Sequence, residues 1–213
     1  MPEQNTVLRF ENASLRWSRR KGDAIQALAP TSFTLEAGDR AVIRGPSGSG
    51  KTTLLLLAGG MLHPTTGRID HPSKVGFVFQ TLELLPYLTV RENIALGATR
   101  QVSHETLELD PLLEELGLQA RADHRPHELS TGECQRTATA RALVSNPTLI
   151  LADEPTGNLD DENAEIVLHA LSRQTERGAS LLLVTHGPLH QLEPTRSMTL
   201  KEGVLTEAGG ASG

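Results

Sequence analysis

Cysteine, aromatic residues and long apolar runs are all scarce in this chain of 213 residues. The single cysteine, Cys134, excludes an internal disulfide and any zinc site built from cysteines. Aromatic residues make up only 3% of the chain, so the core has to be built from Leu, Val, Ile and Ala. The longest apolar run, residues 54–62, is far shorter than the roughly 20 residues of a membrane-spanning helix. Any role at a membrane would therefore need a partner protein.

Basic charge is also in short supply, because 20 Lys and Arg residues stand against 26 Asp and Glu residues, a net charge of −6. A nucleic-acid-binding surface needs a basic face, so we expect no nucleic-acid partner. Phosphate ligands remain possible, since backbone amides and one or two cations bind them locally. The first ten residues, MPEQNTVLRF, lack the basic start and apolar stretch of a signal peptide, so none is expected.

Apolar strands alternate with helical patterns along most of the chain. The predicted strands are residues 7–10, 32–35, 40–44, 75–79, 149–152 and 181–185, and the predicted helices include residues 131–144 and 161–174. Strands that are hydrophobic throughout and alternate with helices indicate an α/β fold with a parallel sheet covered on both faces. A helical pattern with apolar Leu107, Leu112, Leu113 and Leu116 extends from Thr89 to about Gly117. We predict a single domain over residues 1–207, a helical subdomain inserted at about 81–145, and a flexible tail at 208–213.

A glycine-rich loop follows the strand at residues 40–44. Residues 45–52, GPSGSGKT, match G-x-x-x-x-G-K-[ST] in the strand–loop–helix context that this motif requires. Backbone N–H groups would converge on phosphates there, Lys51 would reach the β- and γ-phosphates, and the Thr52 hydroxyl would bind Mg²⁺. The predicted phosphate-binding residues are Gly45, Pro46, Ser47, Gly48, Ser49, Gly50, Lys51, Thr52 and Thr53. The motif fits kinases, GTPases and ATPases alike, so it predicts the ligand class and not the function.

Two adjacent acids, Asp153 and Glu154, end the apolar strand at residues 149–152. Ligands bind at this end of the strands in a parallel sheet. Asp153 would hold Mg²⁺, and Glu154 could orient or deprotonate an attacking water. The alternative is an exposed acidic turn before Pro155. His186 ends a later strand at the same edge, and the residues alone leave open whether it is catalytic or structural.

Together these motifs resemble the nucleotide-binding domain of ABC transporters over nearly the whole chain. Residues 129–136, LSTGECQR, are similar to the ABC signature, and residues 157–160, GNLD, are similar to the loop that crosses the dimer interface. Gln80 resembles the residue of the glutamine loop, His186 falls at the switch-histidine position, and Trp17 is suited to stack on adenine. The resemblance implies a P-loop NTPase with a mainly parallel sheet flanked by helices, a small N-terminal antiparallel β region and a helical subdomain.

The resemblance also implies ligands, roles and partners. ATP and Mg²⁺ would be the cofactors, with Glu154, His186, Lys51 and Gln80 in catalysis and Thr52, Gln80 and Asp153 at the metal. Two copies would face each other head to tail, so that ATP also contacts Ser130, Gly132, Glu133 and Asp160. ATP would close this homodimer and hydrolysis would open it. The dimer would sit on the cytoplasmic face of the inner membrane, bound to an integral membrane permease.

Several segments are most similar to the lipoprotein-releasing and macrolide-exporting branch, of LolD, MacB and FtsE type. That branch implies export or extraction of an apolar or amphiphilic substrate, such as a lipoprotein, peptide, drug or haem. The alternative is a regulatory ATPase that acts through a membrane protein on an external enzyme. A soluble ABC protein of translation or DNA repair fits less well, because those proteins usually carry two cassettes, long coiled coils or zinc ligands.

Three features depart from the family pattern. Thr131 replaces the usual second glycine of the signature, and Gly187-Pro188 follows His186 where an acidic residue is common. The stretch at residues 67–75 is short, so a peripheral strand–helix segment is expected to be missing. Read locally, Ser130 and Glu133 also form the capping box of a helix, whether or not a nucleotide binds there.

Overall fold

The computed structural model describes residues 5–18, 24–98 and 109–207. The strands in chain order are β1 (Thr6–Ser18), β2 (Ala24–Glu36), β3 (Arg40–Arg44), β4 (Thr66–Asp70), β5 (Val75–Val78), β6 (Leu149–Asp153), β7 (Ser180–Val184), β8 (Arg196–Lys201) and β9 (Val204–Glu207). The α-helices are α1 (Lys51–Ala58), α2 (Val90–Ala95), α3 (Asp110–Glu115), α4 (Thr131–Leu143) and α5 (Asp161–Glu176). Within these residues, no helix is both long enough and apolar enough to span a bilayer.

The central sheet has the strand order β5-β6-β7-β3-β8-β9, with all neighbours parallel except the β8–β9 pair. Every residue of β6 and β7 is buried, because helices cover both faces of the sheet. Successive side chains point to opposite faces. Ile150 therefore packs in one apolar cluster with α4 and α5, and Leu151 in a second with α1 and β1. The predicted parallel α/β fold with flanking helices is confirmed.

The second sheet, with order β2-β1-β4, is the antiparallel N-terminal region that the family resemblance implied. β1 and β2 are each 13 residues long, whereas we predicted two short strands at 7–10 and 32–35. The β1–β2 register shifts several times, including between Phe10 and Ala13. Each shift moves side chains to the other face and so interrupts the alternation of apolar residues. A prediction from this alternation therefore gives strands that are too short.

The insert between β5 and β6 differs from the continuous helical pattern predicted from Thr89 to about Gly117. The structure has two helices of six residues there, α2 and α3, while residues 99–108, including Leu107, lie outside the described ranges. The Thr89 and Glu92 side chains form a capping box that begins α2. The side chain of buried Asn93 on α2 accepts from the Leu85 N–H group at 2.8 Å and donates to the Leu85 carbonyl at 3.1 Å. These two bonds fix the segment before the helix.

The short stretch at residues 67–75 retains a strand. β4 pairs with β1, and only residues 71–74 connect it to β5. The expected loss of a strand–helix segment relative to the family stays a prediction, and the connection of four residues between β4 and β5 leaves no room for a helix. The strand went unrecognised because its sequence, TGRID, is polar and mostly exposed at the edge of a small sheet.

Candidate active site

The loop of residues 45–50 leads from the end of β3 into the first turn of α1. Gly50 caps α1 in the left-handed conformation, with φ at 103°. A Cβ atom at Gly50 would overlap the carbonyl oxygen of Ala27, and one at Gly45 would overlap that of Leu200. The loop is thus packed tightly between β2 and β8, which only glycine permits at these two positions.

Lys51 extends back over this loop from the start of α1. Its side chain is largely buried, and Nζ donates hydrogen bonds to the carbonyl oxygens of Gly45, at 2.7 Å, and Pro46, at 3.0 Å. These bonds hold the ammonium group beside the backbone amides that begin α1. A cation next to a helix N-terminus is the combination that binds a phosphate group.

Thr52 and Asp153 connect the start of α1 to the end of β6. The Thr52 Oγ1 atom donates to Asp153 Oδ2 at 2.6 Å, and Asp153 is almost fully buried. Burial raises the pKa of Asp153, while the hydrogen bond from Thr52 opposes the shift. A hydroxyl and a carboxylate are suitable Mg²⁺ ligands, and Mg²⁺ is usually bound by one or two carboxylates together with substrate phosphates. These two residues therefore fit Mg²⁺ that is shared with a nucleotide.

Protein side chains alone would not complete the coordination of this ion. In the described part of the chain, no three or more His, Cys, Asp and Glu side chains are grouped so that they could hold a metal ion by themselves. Bound Mg²⁺ would need phosphate oxygens or water to complete its coordination, and when bound it would polarise the transferred phosphoryl group.

Glu154 directs its carboxylate to the end of β7. Its backbone has φ at 47°, a conformation that is uncommon for residues other than glycine, and its N–H group donates to the Val184 carbonyl at 2.9 Å. The Oε2 atom accepts from the His186 N–H group at 3.1 Å, and Oε1 lies 3.4 Å from His186 Nε2. A carboxylate and an imidazole at this distance can share the task of orienting or deprotonating a water molecule.

The central predicted residues surround one cleft of about 870 Å³, within the range of ligand-binding pockets. It is lined by Trp17, Ser47, Gly48, Gly50, Lys51, Thr52, Thr53, Gln80, Asp153, Glu154 and His186. The Trp17 side chain is 46% exposed, so its ring is available for stacking. Three predicted residues of the loop do not line the cleft, namely Gly45, Pro46 and Ser49, and Ser49 is buried.

The remaining predicted residues, Ser130, Gly132, Glu133 and Asp160, lie at the N-termini of α4 and α5 and are not among those that line the cleft. The predicted nucleotide contacts are therefore divided between two regions of the chain.

The predicted capping box at α4 is present. Glu133 N donates to Ser130 Oγ at 3.2 Å, and Ser130 N donates to Glu133 Oε2 at 2.7 Å. The other oxygen of Glu133, Oε1, accepts from Arg121 Nε at 2.8 Å. These bonds, that of Arg121 foremost, lower the pKa of Glu133 to about 2. Both oxygens of Glu133 are thus engaged within the chain, whereas the Ser130 hydroxyl only accepts among the residues that the structure describes, and it can still donate its proton to an anion.

Gly132 is buried against α5. A Cβ atom there would lie 2.5 to 2.9 Å from the amide atoms of Asn163. Asn163 Nδ2 donates to both oxygens of Asp160, at 2.7 and 2.9 Å, and Asn163 Oδ1 accepts from Arg136. A side chain at Gly132 would therefore have to displace the Asn163 amide from these bonds. Asp160 also caps α5 through the Asn163 N–H group.

Other residues line the cleft that the motifs did not predict. These are Ile25, Gln26, Ala27, Thr156, Gly157, Asn158, Leu159, Gly187 and Pro188. Ile25 is the cross-strand partner of Trp17. The pairing of β1 with β2 could have indicated Ile25, but the two predicted strands were too short to include either residue. The GNLD motif was recognised, but only its last residue, Asp160, was assigned to the site.

Comparison with known proteins identifies the family. The family model described as ABC transporter matches residues 28–157, more than half of the chain. The chain belongs to the ABC transporter family. It is an ABC-type ATPase domain with the P-loop NTPase fold, as the motifs predicted.

Individual relatives agree. The chain is 40% identical to the macrolide export ATP-binding/permease protein MacB of Rhodopirellula baltica, over 91% of this chain and 32% of that protein. The chain therefore spans about a third of the length of this relative. It is similar to the ATP-binding cassette MJ0796, solved as a dimer and also in a post-hydrolysis dimeric state bound to ADP and Pi. Both structures give a TM-score of 0.83 and 31% identity, covering 96% of this chain and all of theirs.

Proposed function

We propose that this chain is the ATP-binding and ATP-hydrolysing subunit of an ABC transporter complex, and that it energises export or extraction of an apolar or amphiphilic substrate through a separate membrane subunit. The observation that carries the proposal is the cleft in which Lys51, the Thr52–Asp153 pair and Glu154 converge. A phosphate-binding cation, a metal-binding pair and a candidate base are what hydrolysis of a nucleoside triphosphate requires.

Each residue has a proposed role. Lys51 and the backbone amides of the loop bind the β- and γ-phosphates, and Thr52 and Asp153 hold Mg²⁺, with Gln80 as a further ligand. Glu154 orients and deprotonates the attacking water. Its contact with His186, at 3.4 Å, supports a shared role, with the imidazole stabilising charge on the γ-phosphate. Trp17 stacks on the adenine ring.

A second copy of the chain is the proposed partner at this site. Ser130, Gly132 and Asp160 lie outside the cleft of their own chain, and the similar cassette MJ0796 was solved as a dimer. In a head-to-tail dimer the N-terminus of α4 would face the γ-phosphate bound by the other copy. The dipole of α4 and the Ser130 hydroxyl would both favour an anion there.

The membrane partner is an integral permease that docks on the segment between Gln80 and α2. One relative, MacB of Rhodopirellula baltica, is named as an ATP-binding/permease protein, which supports this pairing. The Tyr87 side chain in this segment is 66% exposed, which is unusual for a large ring. We propose a single domain over residues 1–207, with a helical subdomain at about 81–145. It would act on the cytoplasmic face of the inner membrane, bound there through the permease.

The Glu154→Gln variant tests the proposed function. Glutamine keeps the size and the hydrogen bond from the His186 N–H group but cannot accept a proton as a carboxylate does. ATP affinity should stay close to that of the wild type, while turnover falls by roughly 10²- to 10⁴-fold, the range for lost general-base assistance. Light scattering coupled to gel filtration should then show an ATP-dependent dimer, because the bound ATP persists.

The matched control is Glu162→Gln, which removes an exposed carboxylate from the first turn of α5. It should hydrolyse ATP as the wild type does. Hydrolysis at the wild-type rate by purified Glu154→Gln protein would rule out the catalytic assignment. A separate experiment distinguishes transport from a regulatory role: the membrane subunit is co-purified with this chain and identified.

A further inference from the structure

Arg44 joins the phosphate loop to the segment that carries His186. It is the last residue of β3, paired with Thr199 of β8, and Gly45 follows it directly. The Arg44 Nη1 atom donates to the carbonyl oxygens of His186, at 3.4 Å, and Gly187, at 3.2 Å. These bonds span 142 and 143 residues of sequence, so they connect two loops that only the fold brings together.

The same segment is held by its N–H groups from the other direction. The His186 N–H group donates to Glu154 Oε2 at 3.1 Å, and the Gly187 N–H group donates to Thr185 Oγ1 at 3.0 Å. Glu154 thus fixes the amide side of the segment, and Arg44 fixes its carbonyl side. The backbone of residues 186 and 187 is thereby held on both sides, and the contact of His186 Nε2 with Glu154 Oε1 at 3.4 Å orients the imidazole on this backbone.

The segment offers few other ways of being anchored. Gly187 has no side chain, and Pro188 has no N–H group, so the positions after His186 can be held mainly through their carbonyl groups. A guanidinium group suits this task because it is always charged and presents several N–H donors from a planar group. Hydrogen bonds from a charged donor are also stronger than those between neutral groups.

We propose that Arg44 is a positioning residue for the ATPase reaction, which sets the place of His186 relative to the phosphate loop and to Glu154. The proposal rests on the proposed function of His186 and Glu154. Arg44 adjoins the first residue of the phosphate loop, so its bonds couple the position of that loop to the position of His186. Nucleotide affinity itself does not depend on this link, because its acceptors are carbonyls of the protein.

The test compares Arg44→Met, which keeps the length and loses the charge, with Arg44→Lys, which keeps the charge and loses the planar group. Arg68→Met is the matched control, since Arg68 lies on β4 and pairs with Asp70 at the surface. In the nucleotide-free protein, hydrogen exchange of the amides at 186 and 187 should accelerate in Arg44→Met and stay unchanged in Arg68→Met. Arg44→Lys should fall between them. This readout does not depend on activity.

The kinetic arm uses purified protein and single-turnover ATP hydrolysis. Arg44→Met should lower the rate about 10- to 100-fold, the loss expected when a catalytic group is displaced by up to an ångström, with unchanged ATP affinity. Arg44→Lys should recover part of the rate. In a His186→Ala background, Arg44→Met should lower the rate of ATP hydrolysis little further, because Arg44 acts through His186.

Three results would overturn the inference: an unchanged rate in Arg44→Met, an equal loss of ATP affinity, or a full additional loss in the His186→Ala background. If Arg44→Met does not fold, Arg44→Lys is judged by the same criteria. Failure of the proposed function gives a different result, namely hydrolysis at the wild-type rate by Glu154→Gln, regardless of the results for the Arg44 variants.

Discussion

At the scale of single residues, Ser130 has two possible functions that one substitution pair can separate. Its hydroxyl caps α4, and its proton could also reach a phosphate bound by a second copy. Asp and Asn are both as good as Ser at the N-cap, so Ser130→Asp and Ser130→Asn should keep the thermal stability and the ATP affinity of the monomer. The aspartate alone adds a negative charge, which would face the γ-phosphate in the proposed dimer.

We therefore expect Ser130→Asp to lower ATP hydrolysis by about 100-fold or more relative to Ser130→Asn, the scale of a lost electrostatic contact in the transition state. Steady-state hydrolysis, with melting temperatures as the folding check, measures this difference. Equal hydrolysis by the two variants would mean that Ser130 is a helix cap alone and that the nucleotide is not shared between copies.

Glu133 provides a prediction on pH at the same scale. Its folded pKa of about 2 lies below its ordinary value of 4.5, because Arg121 and the Ser130 N–H group bind the carboxylate. A depressed folded pKa stabilises the protein above pH 4.5, and this contribution is lost as the pH falls from 4.5 toward 2. Urea unfolding should show wild-type protein more stable than Glu133→Gln at pH 7, with a gap that narrows below pH 4.5. A gap that is constant with pH would contradict the assignment.

At the scale of elements, the contact between α4 and α5 explains the need for glycine at position 132. Gly132→Ala should destabilise the fold by about 1–3 kcal/mol, because its Cβ would meet the Asn163 amide. For a chain of this length that corresponds to a fall in melting temperature of roughly 2–4 °C per kcal/mol. Calorimetry on the purified variant measures the shift.

A second substitution supplies the control for this contact. Asn163→Ala removes all three amide atoms that an alanine at position 132 would meet, although it also loses the bonds to Asp160 and Arg136. The double variant Gly132→Ala/Asn163→Ala should therefore be more stable than the sum of the single effects predicts. Strict additivity would show that the obstacle at position 132 is not Asn163.

At the scale of the whole molecule, Tyr87 tests the membrane partner. The Asn93 side chain bonds the backbone of the segment before α2 at Leu85, and this segment carries the exposed Tyr87 ring. The ring is therefore held in a fixed position. Tyr87→Ala should weaken binding to the membrane subunit about 10-fold, as loss of a central interface residue does, while ATP hydrolysis by the isolated chain stays unchanged. Met61→Ala, which removes another exposed apolar side chain elsewhere, is the control. Equal loss of binding in both variants, or lost hydrolysis in Tyr87→Ala, would contradict a coupling role.

The fold class was predictable because the signal is local and periodic. β6 and β7 are apolar at every position, which only a sheet covered on both faces accommodates, and α4 begins at its predicted residue, Thr131. β1 and β2 were underestimated because their bulges interrupt the alternation, and β4 was missed because it is a polar edge strand. Periodicity is lost wherever a strand is irregular or solvated on both faces.

The chemical groups of the candidate site could be predicted from sequence, because the spacing of the glycines, Lys51, Thr52, Asp153 and Glu154 places them at strand ends and loops. Which other residues they meet follows from the fold. It placed Arg44 against the carbonyls of residues 186 and 187, Ile25 beside Trp17, and Asn163 over Gly132. The contacts of Arg44 and of Asn163 join segments that are far apart in sequence, and the pairing of Trp17 with Ile25 depends on the register of two irregular strands. A register shift or a helix–helix approach leaves no periodic trace in either segment alone.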